Sequence, residues 1–279
     1  MRIDASLRDR VQADFNLLNI VAARNAFPEP NSLSDSLDIA VPPGPKKATG
    51  TKNISPEISK MFTTAAVDMW LRAVHSFLIS GSLTAVSPLW ASVTGYYSSH
   101  YSMRAFAHLL GFFRQFTRKR ILRSELVAGR HICSFGPLRG REHEIYWKTV
   151  KEDQHFLSDP FFPLTNLDVD HRDWANYVDH LSDFRPFRPL DKEALKGRIE
   201  RISEIPFVLP PLPDVGRYPD VDSVQIIAYH RIVRFRHLVD TLLVGKNRFW
   251  DVYRNPAWAM EFMDFQLTAG RTLHSEFTL

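Results

Sequence analysis

The chain has 279 residues, 44% of them hydrophobic and 24% charged, a balance that excludes wholesale disorder and fits a folded globular protein. Its net charge of +4 and pI near 9.2 lean towards anionic partners without singling one out. A single cysteine, Cys133, excludes an internal disulfide and a cysteine-ligated zinc cluster and points to a reducing, cytoplasmic setting.

The opening MRIDASLRDRVQADF alternates charge too early for the apolar core of a signal peptide. Residues 6–26 read as an amphipathic helix with Ser6 as N-cap and Val11, Phe15, Leu18 and Val21 at spacings of three or four. Residues 27–54 follow as a proline-rich linker or surface-hugging arm. Pro28, Pro30, Pro42, Pro43 and Pro45 interrupt them and no helical period runs through. Residues 1–26 therefore form an N-terminal unit able to dock on the body or on a protein partner, and residues 55–279 form the main helical domain.

That domain opens with Ser55-Pro56-Glu57, an N-cap, a first-turn proline and an acid matched to the helix dipole. The helix it starts is predicted to stop at Gly81. Ser87-Pro88 repeats the signal for a second helix reaching Phe113, so the pair forms an antiparallel hairpin. The most apolar long window, residues 65–86, carries Asp68, Arg72 and His75, which predicts a buried helix and no membrane span. Residues 121–151 change character: ILRSELVAGRHICSF, GPLRGRE and HEIYWKTVK predict two strands about the Gly136-Pro137 turn. Beyond a loop-rich stretch with a short helix near residues 170–184, helices are predicted over 191–204, 222–243 and 257–267. The fold class is thus mostly α, a helical bundle with a small β-hairpin insertion.

Three clusters carry candidate chemistry. His100, Arg104 and His108 recur every four residues, drifting by about 40° per step, and share one broad helix face. Imidazoles near an arginine suit general acid–base work on a phosphodiester, with the guanidinium holding the charged phosphorus centre; hydrogen-bonded packing histidines have the same pattern. The second cluster, YHRIVRFRHLVD, places His230, Arg231, Arg234 and His237 together. It reads as a phosphate-gripping stripe or as the counter-charge to the acidic residues 152–183. The third is a basic, aromatic-laced run in which Arg114, Arg118, Lys119, Arg120 and Arg123 lie beside Phe112, Phe113 and Phe116. It fits contact with a nucleic-acid backbone, with the phenylalanines free to stack bases, or a solvated face over a phenylalanine core. Trp70, Trp90, Tyr96 and Tyr97 offer a third option, an aromatic small-molecule pocket, although aromatics at helical spacing are usually core. Asp168-Val-Asp170-His171 is a weak divalent-ion signal. Glycine-rich phosphate loops and a Gly-x-Ser-x-Gly elbow are missing, and no metal or cofactor is expected.

The helix carrying GYYSSHYSMRAFAHLL and the downstream stretch HRDWANYVD, residues 171–179, resemble the HEPN families (higher eukaryotes and prokaryotes nucleotide-binding). The resemblance covers roughly residues 55–115 and 168–180. It implies a helical bundle that commonly forms homodimers. It also implies metal-independent RNase activity in toxin–antitoxin, CRISPR or phage-defence systems, or nucleotide and partner binding without catalysis. Active members use Arg, four to six residues, then His. Arg231 and His237, with five between, match; Arg104 and His108, with three, do not. Residues six apart on a straight helix point about 120° away from each other, so the matching pair converges only at a bend or between two chains. The expected function is RNA binding, with metal-independent cleavage by His100, Arg104, His108, Arg231 and His237 and backbone contact through Arg114, Arg118, Lys119, Arg120, Arg123 and Arg234. The alternative is a non-catalytic subunit that positions nucleic acid or an acidic protein within a larger complex.

Overall fold

A computed structural model describes residues 5–16, 32–42, 48–115, 118–138, 142–152, 192–205 and 221–243, with Gly44, Gly140 and Asp173 singly. Helix makes up 71% of what is described, so the mostly-α class holds and the sheet is the minor component. In chain order the elements are α1 (Ala5–Asn16), α2 (Ser32–Ala40), β1 (Gly50–Asn53), α3 (Pro56–Leu83), α4 (Pro88–Leu109), β2 (Phe112–Gln115), β3 (Arg120–Val127), β4 (Arg130–Pro137), α5 (Glu142–Glu152), α6 (Lys192–Glu204) and α7 (Val221–Leu242). No helix among the described residues is long and apolar enough to cross a membrane. The expected helices over 170–184 and 257–267 lie outside the described residues, as does the Asp168-Val-Asp170-His171 stretch.

The cap signals translate directly into structure. Ser55 and Ser87 adopt extended backbone and accept hydrogen bonds from the Ile58 and Trp90 amides, with Pro56 and Pro88 in the first turns. Gly81 does not end α3; the helix runs on to Leu83 and closes on Thr84, whose amide donates to the Gly81 carbonyl. The α3/α4 hairpin is completed by α7, which runs parallel to α4. Its Val224 lies at Gly95 and its Arg231 at Ser99. Trp70 of α3 donates its indole N–H to the Ile232 carbonyl at 2.9 Å. Ser92, Gly95, Ser99 and Ser102 of α4 are all buried, and a Cβ on Gly95 would come within 2.8 Å of Val224, so small residues set the close α4–α7 approach.

Helix α4 ends four residues before the expected point. Gly111, at φ +88°, accepts from the Ser124 amide and turns the chain into β2. A Cβ there would meet the Ser124 carbonyl oxygen at 2.2 Å. Gly111→Ala therefore combines left-handed strain with a backbone clash and is expected to cost about 2–4 kcal/mol, read as a lowered urea midpoint. A loss under about 0.5 kcal/mol would show that this corner relaxes freely.

The sheet is antiparallel in the order β1-β4-β3-β2. Its hairpin turn falls at Ala128-Gly129, both at positive φ as a two-residue type I′ turn requires. The expected Gly136-Pro137 turn instead closes β4. HEIYWKTVK forms helix α5, where a strand was expected. Its Ile, Tyr, Trp, Thr and Val favour strands locally, but burial of Ile145, Tyr146, Trp147 and Val150 against the bundle decides the outcome. The proline-rich arm also holds structure. Leu37 and Val41, one helical turn apart about α2, enter a core with Ile54, Met61, Phe62, Leu122 and Cys133, while β1 pairs along β4. Nine residues rich in Ser and Asp have little helix propensity of their own, so this contact is what orders them.

Helix α1 is tied to the body by a buried ion pair. Arg10 donates to Asp14 at 3.1 Å and also to the Leu109 carbonyl, at the negative end of α4. Ser59 and Thr63 of α3 donate to the same carboxylate at 3.0 and 2.7 Å. Between Arg10 and Asp14, Gln12 of α1 donates to the Leu242 carbonyl of α7 at 3.0 Å.

Candidate functional site

The His100–Arg104–His108 stripe of α4 is roofed by α5. The Tyr146 ring lies 6.1 Å from the His100 ring and 5.9 Å from the His108 ring, edge-on to both. The Arg104 guanidinium sits 5.2 Å from the same ring's centre. The next residue, Trp147, covers the Arg231 guanidinium at 4.1 Å. Arg231, fully buried, donates to Ser99 of α4 at 2.6 Å. Helix α5 thus covers both, the stripe on α4 through Tyr146 and Arg231 of α7 through Trp147.

Within this assembly the groups differ chemically. His108 is buried and its Nδ1–H donates to the Phe112 carbonyl at 2.8 Å while its ring stacks on Phe113. Burial first, and the nearby Arg104 charge second, pull its pKa down to about 3. It is a neutral imidazole that holds the α4–β2 corner, which is poor equipment for proton transfer near neutral pH. His100 is buried and stacked on Tyr96, with ring centres 6.1 Å apart. Arg104 is half-buried and forms no ion pair among the described residues.

On α7, His230 turns away from this assembly, its Nε2 3.2 Å from the Ile205 carbonyl beyond α6. Arg234 and His237 are buried. Because α7 is unbroken from Val221 to Leu242, Arg231 and His237 leave it about 120° apart, and no bend brings them together.

The basic run divides. Arg118 and Arg120 each reach Asp38 of α2 at 3.0 Å, and Arg120 also bonds Gln115, so the arm supplies their counter-charge. Arg123 lies 3.1 Å from Glu125 and 4.9 Å over the Phe112 ring. Arg114 is buried in β2, and Lys119 is exposed in the β2–β3 turn. Phe113 packs edge-on against Phe62 at 6.2 Å. Phe112 and Phe113 are thus spent on internal contacts, and of the six candidate contact residues Arg118, Lys119 and Arg123 retain surface exposure. Phe116 and most of the acidic residues 152–183 lie outside the described residues.

Ser99, Tyr146 and Trp147 belong to the site and escape sequence reasoning. Tyr146 and Trp147 sit in a stretch whose composition signals a strand, and Ser99 looks like one more small packing residue. Among the described residues no three His, Cys, Asp or Glu side chains gather as a metal site would require. Cys133 is buried, and burial pushes its thiol up to about 11, away from the thiolate a nucleophile needs. Comparison of the chain with protein-family profiles, with curated proteins and with solved structures finds no match.

Proposed function

We propose that this chain is an RNA-binding protein of the HEPN-like helical kind, in which Arg104, the half-buried cation beside Tyr146, recognises phosphate. The observation that carries the reading is Arg104, held over the Tyr146 ring on a helix free of Asp and Glu, with Arg231 buried under the adjacent Trp147. A guanidinium set over an aromatic ring, with no ion pair among the described residues, suits a polyanion. The exposed cations Lys119 and Arg118 extend the same chemistry to the sheet. A cytoplasmic setting, which the single buried cysteine suits, goes with this proposal, as do a homodimer and a place in prokaryotic defence or a toxin–antitoxin pair.

Binding is the primary activity in this proposal and cleavage its stronger form. Cleavage with the RNA's own 2′-hydroxyl as nucleophile needs an imidazole that exchanges a proton near neutral pH. His108 is held neutral, so His100 and His237 are the residues to which that task falls. The test is incubation of purified protein with single-stranded RNA and DNA in EDTA, with binding and strand loss followed together. Salt-sensitive RNA binding that weakens in Arg104→Ala is the expected result. RNA loss that persists in His100→Ala and in His237→Ala, or is absent from the parent protein, removes the enzymatic form. Absence of RNA binding at low salt removes the proposal altogether.

A further inference from the structure

Two sides of α4 pack on α3 and α7, and α5 covers the C-terminal part of a further side through Tyr146. Ser98 donates to the Ala73 carbonyl of α3, and Gly95 and Ser99 meet α7. On the third side stand Trp90, Thr94, Tyr97, Tyr101 and Arg104, within an arc of about 80° on the helical wheel. Trp90 is 57% exposed and Tyr97 36%. The rings are held in place: Tyr97 packs edge-on against buried Tyr96 at 5.3 Å and lies 6.2 Å from Tyr101. Arg104 closes the row, anchored over Tyr146.

We infer that this face is a stacking track for single-stranded RNA, with Trp90, Tyr97 and Tyr101 taking bases and Arg104 a backbone phosphate. The inference rests on the RNA-binding reading and deepens it by naming single strands as the form recognised. Charge decides the occupant. The 22 residues of α4 include no Asp or Glu, and the guanidinium that ends the row forms no ion pair among the described residues. A single strand offers flat apolar faces for the rings and an anion for the arginine in one molecule.

The test is fluorescence anisotropy with fluorescein-labelled oligouridylate, a single-stranded oligoadenylate and an RNA duplex, on the full chain. Trp90→Ala and Tyr97→Ala remove exposed rings, so circular dichroism melts are expected to match the parent. Each is expected to weaken single-strand binding roughly 5- to 150-fold, with duplex binding unchanged and Trp90→Phe within a few-fold of the parent. If the parent binds RNA and both alanine variants bind as tightly, the track is overturned while the RNA-binding reading stands. If the parent binds no RNA, both fall. If sedimentation shows instead that Trp90→Ala dissolves a dimer with RNA affinity intact, the face is a contact between copies and the inference is overturned.

Discussion

Replacing Asp14 by alanine is expected to lower folding stability by about 3–5 kcal/mol, the cost of leaving a buried charge without its partner. Arg10 and Asp14 are both almost fully buried, 2% and 0% exposed in their side chains. Removing the carboxylate strands the Arg10 charge and deprives Ser59 and Thr63 of the acceptor they share. Burial already pulls the Arg10 pKa below its usual value against the upward pull of Asp14, so the pair sits in a costly environment that only mutual contact offsets. Urea unfolding at neutral pH, followed by tryptophan fluorescence, measures the loss through the midpoint. The double variant Arg10→Met, Asp14→Leu is expected to recover the part owed to the stranded Arg10 charge, while Ser59, Thr63 and the Leu109 carbonyl stay without their partners. A single-variant loss under about 1 kcal/mol would mean that α1 does not depend on this contact.

The second large effect is on pH dependence. His108 titrates at about 3 in the folded protein against an ordinary 6.5. Above about pH 7 neither the folded nor the unfolded form is protonated, and the residue contributes no slope. As pH falls from 6.5 towards 3 the unfolded chain takes up a proton that the folded chain refuses, so stability declines with acidity. The decline is about 1.4 kcal/mol per pH step and on the order of 4–5 kcal/mol in all, ending where the folded form protonates too. In His108→Gln the slope of unfolding free energy against pH between 6 and 4 is expected to flatten by nearly one proton. An unchanged slope would show that the imidazole reaches water in the folded state.

Helices α3, α4 and α7 were legible because their signals are local. Ser-Pro caps, apolar periodicity and the wheel position of His100, Arg104 and His108 all lie within a few turns of chain. Elements whose identity comes from distant contacts were not. Ala128-Gly129 makes a hairpin turn without the Asn-Gly or Asp-Gly signature, which shifted the expected turn to Gly136-Pro137. Residues 142–152 have a strand's composition and a helix's burial, and with α5 misread the roof of the site was hidden. The stripe was visible as half of a site; its other half, Tyr146 above it and Arg231 beside Ser99, depends on how α5 and α7 return to α4. Asp38 shows the same limit on the basic run. Nothing near Arg118 and Arg120 in sequence reveals that an acid some eighty residues earlier answers both of them.

The hydrogen bond from Gln12 to the Leu242 carbonyl joins residues 230 positions apart, and so sets an order of assembly during synthesis. The α3/α4 hairpin and the sheet can close as soon as each emerges, and α1 can already engage Asp14 with Ser59 and Thr63. At about 5–20 residues per second, roughly ten to fifty seconds separate the emergence of α1 from that of its last partner. Throughout that interval the serine-lined side of α4 and the seat of Arg231 stand open. Among the described elements α7 is the last to emerge, so the seat of Arg231 under Trp147 is the last described part of the interior to be sealed.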